Sequence, residues 1–402
     1  MPPGNPLNLK GGFMLLLQNG TVYDGLGNKT EKCDVLSDKG KIVKVGKAIT
    51  VPKGCRVIDC RGMVITPGLI DSHCHVGMWE ESNGWAGSDG NEMTNPATPH
   101  LRAIDAVNPD DIAFQDACKS GITALFTGPG SANVIGGQSL VMKTAGSSIV
   151  DERVVKDPAG LKMALGENPK RVYGVGKNQF PSTRMGNAAV MREAFYKAKN
   201  YMEKKKKGKK DPEKAPEFDL QNEILSSVLE GKLTARCHAH RFDDIITIIR
   251  IQKEFGFKLR IEHCTDGHKI APFLAENKID AIIGPSMSAR VKEELKDITF
   301  ATAGVLEKAG VKVAIMTDAP VIPIDYLPLM VGLARKNGLS EEGALKSVTL
   351  HAAQICDCAD RIGSLEPGKD ADIAVFDGDP FDMNSVCRLT VIDGEIAHNR
   401  ME

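Results

Sequence analysis

Four of the chain's nine histidines, His73, His75, His238 and His263, sit where short apolar runs end. His73 and His75 close the run Val64–Asp71 in Ile70-Asp71-Ser72-His73-Cys74-His75. On a strand, side chains i and i+2 share a face, so both imidazoles point the same way. His238 follows Leu233–Cys237, His263 follows Lys258–Glu262, and Asp318 follows Val311–Thr317. If these runs are parallel strands of one barrel, their C-terminal ends meet at one mouth, where such folds place their chemistry. Four imidazoles and a carboxylate make a borderline-soft nitrogen and oxygen site. It suits one or two divalent ions, Zn²⁺ first, with Mn²⁺, Fe²⁺ or Co²⁺ as alternatives. One histidine alone is more simply a packed residue, and a His-x-His pair alone says little. The coincidence of all five at strand ends carries the argument.

A bridging ligand has two candidates on the run Gly160–Glu167. Leu161, Met163 and Leu165 form one apolar face, which turns Lys162 toward the barrel axis. A lysine there is costly unless it is paired or modified. Glu167, at the end of the run, is an oxygen ligand without modification. Both remain open at this point. His240 shares a strand face with His238, so it is a candidate catalytic or substrate-binding group. Substrate contacts are also expected from Asn133 and Gln138 in the glycine-rich Gly130–Gln138 loop. Arg184 is expected to pair a substrate carboxylate. Cys74, Cys237 and Cys264 each adjoin a proposed ligand and therefore point away from it, as small buried hydrophobes.

The elements that must position these groups fall into two styles. Phe13–Tyr23, Lys41–Val45 and Arg56–Ile65 read as strands separated by turns such as Asp38-Lys39-Gly40. Ala371–Phe376 and Leu389–Ile396 repeat the pattern at the other end. Both termini are thus expected to build one small β-sandwich, residues 13–65 with 366–402, after a flexible leader over residues 1–12. Between them, over residues 66–365, Gly121–Phe126, Thr234–Cys237, Lys258–Ile261, Ile279–Ile283 and Val311–Met316 are strand-sized. In Phe242–Phe255, Phe242, Ile245, Ile246 and Ile249 fall at helical spacing. This alternation predicts an α/β protein, a (β/α)8 TIM-type barrel with a parallel sheet. A doubly wound open sheet would bring a glycine-rich phosphate loop after its first strand, and none is seen.

Composition narrows the partners. With 51 Lys+Arg against 52 Asp+Glu in 402 residues, the net charge of −1 offers no global field for nucleic acid or an anionic membrane. No apolar stretch approaches the roughly 20 residues needed to cross a bilayer. The run Phe13–Leu17 lacks a charged flank and a cleavage site, so it is not a signal peptide. Ten thiols without such a signal read as reduced, in a cytoplasmic protein. The lysine-rich stretch within Lys197–Pro216 is a solvated helix end and loop. A small-molecule substrate is expected, and a homo-oligomer formed through the barrel helices is open.

The string Val64-Ile65-Thr66-Pro67-Gly68-Leu69-Ile70-Asp71-Ser72-His73-Cys74-His75 resembles the opening signature of the amidohydrolase superfamily. Gly363-Ser364-Leu365-Glu366-Pro367-Gly368-Lys369-Asp370-Ala371-Asp372-Ile373 is similar to its closing one. His238, His263 and Asp318 match the later metal positions, and the branch looks imidazolonepropionase-like or dipeptidase-like. The resemblance implies a distorted barrel with a mono- or binuclear metal centre that hydrolyses an amide by metal-activated hydroxide. His73 and His75 would hold one ion and His238 and His263 the other. Asp318 would bind metal and move the proton, with His240 helping to stabilise the oxyanion. Lys162 resembles the carboxylated lysine of some members and Glu167 the bridging glutamate of others. The deaminase branch carries a glutamate three residues after the fifth-strand histidine, where this chain has Arg241. That argues against nucleobase deamination; a mononuclear hydrolase or deaminase is the alternative, and a non-catalytic scaffold is less favoured.

Overall fold

The structure is a computed structural model that describes residues 13–401; the leader expected over residues 1–12 lies outside the described residues. Its strands, in chain order, begin with β1 (Leu15–Tyr23), β2 (Lys29–Asp38), β3 (Lys41–Gly46), β4 (Arg56–Asp59), β5 (Val64–Pro67) and β6 (Leu69–Cys74). Next come β7 (Ile122–Thr127), β8 (Ile135–Lys143), β9 (Val154–Ala164), β10 (Ala235–Ala239) and β11 (Leu259–His263). The last are β12 (Asp280–Ile283), β13 (Val313–Ile315), β14 (Ile373–Phe376), β15 (Cys387–Ile392) and β16 (Glu395–Asn399).

Strands from both termini form one sheet in the order β16-β15-β14-β5-β1-β2-β3, with β4 also paired to β1. It is one continuous hydrogen-bonded sheet. β1 changes its parallel partner from β4 to β5 where its register with β2 shifts around Gly20. Leu17, Val35 and Ile65 from the N-terminal side meet Ile373, Leu389 and Val391 from the C-terminal side in its core. Two boundaries differ from expectation. The Arg56–Ile65 stretch is broken into β4 and β5 by a turn. β2 escapes the pattern because its first half, Lys29–Lys32, is largely exposed and only Cys33–Ser37 is buried.

The middle of the chain makes a second eight-stranded sheet in the order β13-β12-β11-β10-β9-β8-β7-β6, a nearly closed barrel. The seam between β6 and β13 is bridged by Asp71, whose Oδ2 accepts from the Thr317 N–H at 3.2 Å and its hydroxyl at 2.5 Å. Asp318 N–H donates to the His73 carbonyl at 3.2 Å across the same seam. The barrel is not wholly parallel, contrary to the sequence expectation: β8 runs antiparallel to both β7 and β9. No long crossover helix joins β7, β8 and β9, and without such a crossover adjacent strands can only run antiparallel. Gly136, Gly137 and Gln138 consequently belong to a strand rather than to a loop.

Helix Phe242–Phe255 forms as its periodicity predicts and stops at Gly256, whose φ of 80° caps it in the left-handed region. Its buried face is rotated from the expected one: Ile245, Ile248 and Ile249 are buried, whereas Phe242 is exposed. The basic stretch Lys204–Lys207 closes helix Arg184–Gly208 and is solvated. No helix among the described residues is long and apolar enough to cross a membrane.

Candidate active site

The C-terminal ends of the parallel strands deliver the predicted ligands to one mouth. β6 ends in His73 and Cys74 with His75 just beyond, β9 carries Lys162, and β10 carries His238 with His240 following. β11 ends in His263, and Asp318 lies just past β13. His263 and Asp318 have φ of 67° and 58°, the left-handed region that non-glycine residues seldom occupy. Such strain collects where a site over-determines the backbone.

Local hydrogen bonds fix the ring orientations. His75 Nδ1 lies 2.7 Å from the Gly128 carbonyl and His263 Nδ1 lies 2.9 Å from that of Gly284. A carbonyl can only accept, so each Nδ1 carries the proton and each Nε2 is left with its lone pair. Gly284 has φ of 148°, and a Cβ there would meet the Met316 carbonyl at 2.2 Å, so only glycine lets this carbonyl approach His263. Nε2 of both His73 and His75 is 3.3 Å from Asp318 Oδ1. His240 Nδ1 lies 2.8 Å from Thr265 Oγ1.

Two groups offer ligand atoms that all lie within 4.8 Å of one another: His238, His240 and His263, and His73, His263 and Asp318. The donor set fits a divalent metal by an independent observation. His238 is buried, and neither of its ring nitrogens has a hydrogen-bond partner. An unpartnered buried polar atom is costly, and a cation supplies the missing partner. Burial and the neighbouring His263 and His240 hold His238 well below the usual imidazole range. Burial, again with His263, does the same to His240, and burial pushes His263 down to about 3. Burial opposes the Asp318 charge, but His263, His73 and His75 outweigh it and keep the carboxyl well below its ordinary value. Neutral imidazoles beside an ionised carboxylate are the protonation states a metal needs.

Beneath the rings lies a buried ionic cluster whose other members escaped the strand-end argument. Lys162 points into the axis, as alternation requires, and pairs with Glu262 Oε2; its Nζ is 3.3 Å from His73 Nε2. Glu262 Oε1 also accepts from Arg236 Nε at 3.0 Å. The Arg236 guanidinium stacks 3.8 Å from the Phe126 ring centre and donates to the Ser72 carbonyl at 2.7 Å. Burial works against the Glu262 charge, but His73, Lys162 and Arg236 together hold its carboxyl well below the usual range. The available signal was a Glu-His pair ending β11 and an arginine two residues before His238.

A cavity of about 780 Å³ opens over these groups, lined by His75, Lys162, His238, His240, His263 and Asp318. Glu167 stands on its wall, outside both ligand groups, with its N–H donating to Glu294 Oε1 at 2.5 Å. The expected substrate contacts lie elsewhere. Asn133 donates to the Glu92 carbonyl at 2.6 Å and accepts from the Tyr173 hydroxyl at 2.6 Å. Gln138 donates to the Pro99 carbonyl at 3.3 Å. Arg184 pairs with Asp243 and, at 3.0 Å, with Asp244. None of the three lines the cavity, because nearby backbone carbonyls and the Tyr173 hydroxyl engage the amides and helix Phe242–Phe255 supplies carboxylates to the arginine. Arg241 is likewise paired with Asp243, at 3.0 Å. Cys74, Cys237 and Cys264 are fully buried, and burial raises all three thiols.

Comparison with known proteins agrees with this geometry. A model of the amidohydrolase family matches residues 64–397. The solved structure of an amidohydrolase from Thermotoga maritima is 48% identical, with a TM-score of 0.92 over 96% of this chain and 100% of that one. The amidohydrolase tasK of Hapsidospora irregularis is 29% identical over 90% of this chain, which spans 39% of that longer protein. A dihydroorotase of Geobacter metallireducens is 25% identical over 90% of this chain and 89% of its own length. A Xaa-Pro dipeptidase structure, 17% identical with a TM-score of 0.59, shares the fold alone.

Proposed function

The chain belongs to the amidohydrolase family, and from that premise we propose that it cleaves an amide C–N bond of a small molecule, linear and peptide-like or cyclic. One or two divalent ions, Zn²⁺ first among them, would be held at the mouth. The observation that carries this is His238, buried beside His240 and His263 with both ring nitrogens unpartnered.

His73, His238, His263 and Asp318 would hold the metal, with His240 close enough to join them and His75, outside both groups, reaching Asp318 Oδ1 with its Nε2 at 3.3 Å. A divalent cation supplies positive charge that acidifies a water and polarises a carbonyl. The chain's own groups do the rest. Asp318, whose carboxyl is held well below its ordinary value, accepts a proton from the attacking water and returns it to the leaving nitrogen. The water oxygen bonds to the acyl carbon, the C–N bond breaks, and an acid and an amine leave. His240, oriented by Thr265, faces the same cavity and stabilises charge on the carbonyl oxygen. Of the two bridging candidates, Lys162 sits among the histidines and Glu167 at the wall, so Lys162 is the better placed.

The test pairs metal analysis with hydrolysis of dipeptides, N-acyl amino acids and cyclic amides. His238→Ala should lower bound zinc and abolish turnover. Asp318→Asn should reduce turnover by roughly 10²–10⁴-fold. Unchanged metal content and hydrolysis in both variants would falsify the assignment.

A further inference from the structure

The cavity is lined by four cationic side chains, Lys162, Lys170, Arg171 and Lys292, against two carboxylates, Glu167 and Asp318. Lys162 is neutralised from below by Glu262. Lys292 is compensated by the buried Glu294, 3.0 Å away. Lys170 and Arg171 have no carboxylate within 4.0 Å among the described residues. Both stand on the helical turns that directly follow the strand carrying Lys162, and both line the same cavity as the histidine cluster. With the Lys162 and Lys292 pairs set aside, Lys170 and Arg171 stand against Glu167 and Asp318, and a resident metal would add positive charge to this mouth.

The cavity also has an apolar side. Trp79 lies against His75, their ring centres 4.3 Å apart. Its indole is seated by two glycines: a Cβ on Gly90 or Gly130 would come within 2.6 Å or 2.5 Å of it. Leu295, Val291 and Val321 add apolar lining. The wall therefore offers an apolar pocket for an aliphatic or aromatic side chain, and Lys170 and Arg171 line the same cavity.

We infer that the substrate amide carries a free carboxylate, bound by Lys170 and Arg171, and an apolar side chain held against Trp79. The ligand class is N-acyl amino acids or dipeptides with a free carboxyl end, not neutral amides. This rests on the hydrolase reading above and narrows it. Arg171 can grip a carboxylate through two parallel N–H bonds, and Lys170 adds a point charge. A charge-assisted contact made equally in the bound substrate and in the transition state lowers KM and leaves kcat largely unchanged.

The test compares N-acetyl-L-leucine with N-acetyl-L-leucinamide on the zinc-loaded protein. The acid should be favoured by about tenfold or more in kcat/KM, mostly through KM. Lys170→Gln/Arg171→Gln should collapse that ratio toward one while zinc content and Tm stay unchanged. Equal use of acid and amide, or a ratio that survives in the double variant, overturns the inference. If neither compound is hydrolysed, calorimetric binding of the same pair decides. Tighter binding of the acid, lost in the double variant, keeps the carboxylate site and rejects hydrolysis of this class. Equal or no binding of both rejects the site.

Discussion

Glu262 Oε1 lies 3.1 Å from His73 Nδ1, and Oε2 of the same buried carboxylate takes the Lys162 ammonium. One carboxylate therefore stands behind both a candidate ligand histidine and the axial lysine. A carboxylate behind a ligating imidazole orients the ring and raises its basicity. Glu262→Gln keeps the shape but removes the charge. Zinc affinity should fall by roughly 10–100-fold. Competition with a chelator measures this, and an unchanged affinity would sink the idea that Glu262 positions His73.

Lys162 and Glu167 make opposite forecasts. Lys162 lies 3.3 Å from His73 Nε2 inside the cluster, whereas Glu167 stands on the wall. Lys162→Ala should lower bound zinc per chain and leave Glu262 without one of its two cations. Glu167→Gln should leave zinc content as it was. Elemental analysis of the two purified variants separates them, and the reverse pattern would make Glu167 the bridging ligand.

The candidate ligand set was legible because strand ends announce themselves locally. An apolar run followed by His or Asp needs only the next few residues to be recognised, and alternation alone turned Lys162 inward. What was hidden depends on partners far along the chain. Glu262 acquires its role from Lys162, 100 residues away. The reversed β8 could not be read because a glycine-rich stretch between apolar runs looks the same whether it is a mouth loop or the approach to a strand. Asn133, Gln138 and Arg184 carried suitable functional groups, but neighbours such as Tyr173 and Asp244 had already engaged them.

Acid should destabilise the cation-free protein. Burial holds His75, His238, His240 and His263 below the ordinary imidazole value, His263 at about 3, and outweighs the opposing pull of Asp318 on His75 and His263. Below pH ~6.5 the unfolded chain protonates these rings while the fold keeps them neutral. The unfolded state then binds more protons, so stability is lost as pH falls from ~6.5 toward ~3. Asp71 opposes this, because burial raises it to about 6 and the fold holds its proton while the unfolded chain releases it. Asp244 and Asp372 oppose it likewise, but the four imidazoles, with Glu262 and Asp318 held well below their ordinary values, outweigh these carboxyls. Each net proton is worth about 1.4 kcal/mol per pH unit. The Tm of chelator-treated protein should be flat above pH 7 and drop on acidification, with a shallower drop in His263→Gln. A Tm that rises between pH 7 and 5 would contradict this.

Lys143 couples the barrel to the terminal sheet and should carry stability rather than activity. It ends β8 fully buried, with Nζ 2.7 Å from Asp372, 3.1 Å from Asp370 and 3.0 Å from Asp393. Burial alone would lower its pKa, but these carboxylates outweigh it and raise it. Asp370 retains Lys41 and Arg361 as partners. Asp372 has no second cation among the described residues, and burial already raises its pKa. Lys143→Met therefore leaves one buried carboxylate uncompensated, a loss of about 3–5 kcal/mol. Adding Asp372→Asn removes that stranded charge and should recover part of the loss. Denaturant midpoints of the two variants test the order. A double variant no more stable than Lys143→Met would mean that packing of the lysine stem, not the charge on Asp372, holds the two sheets together.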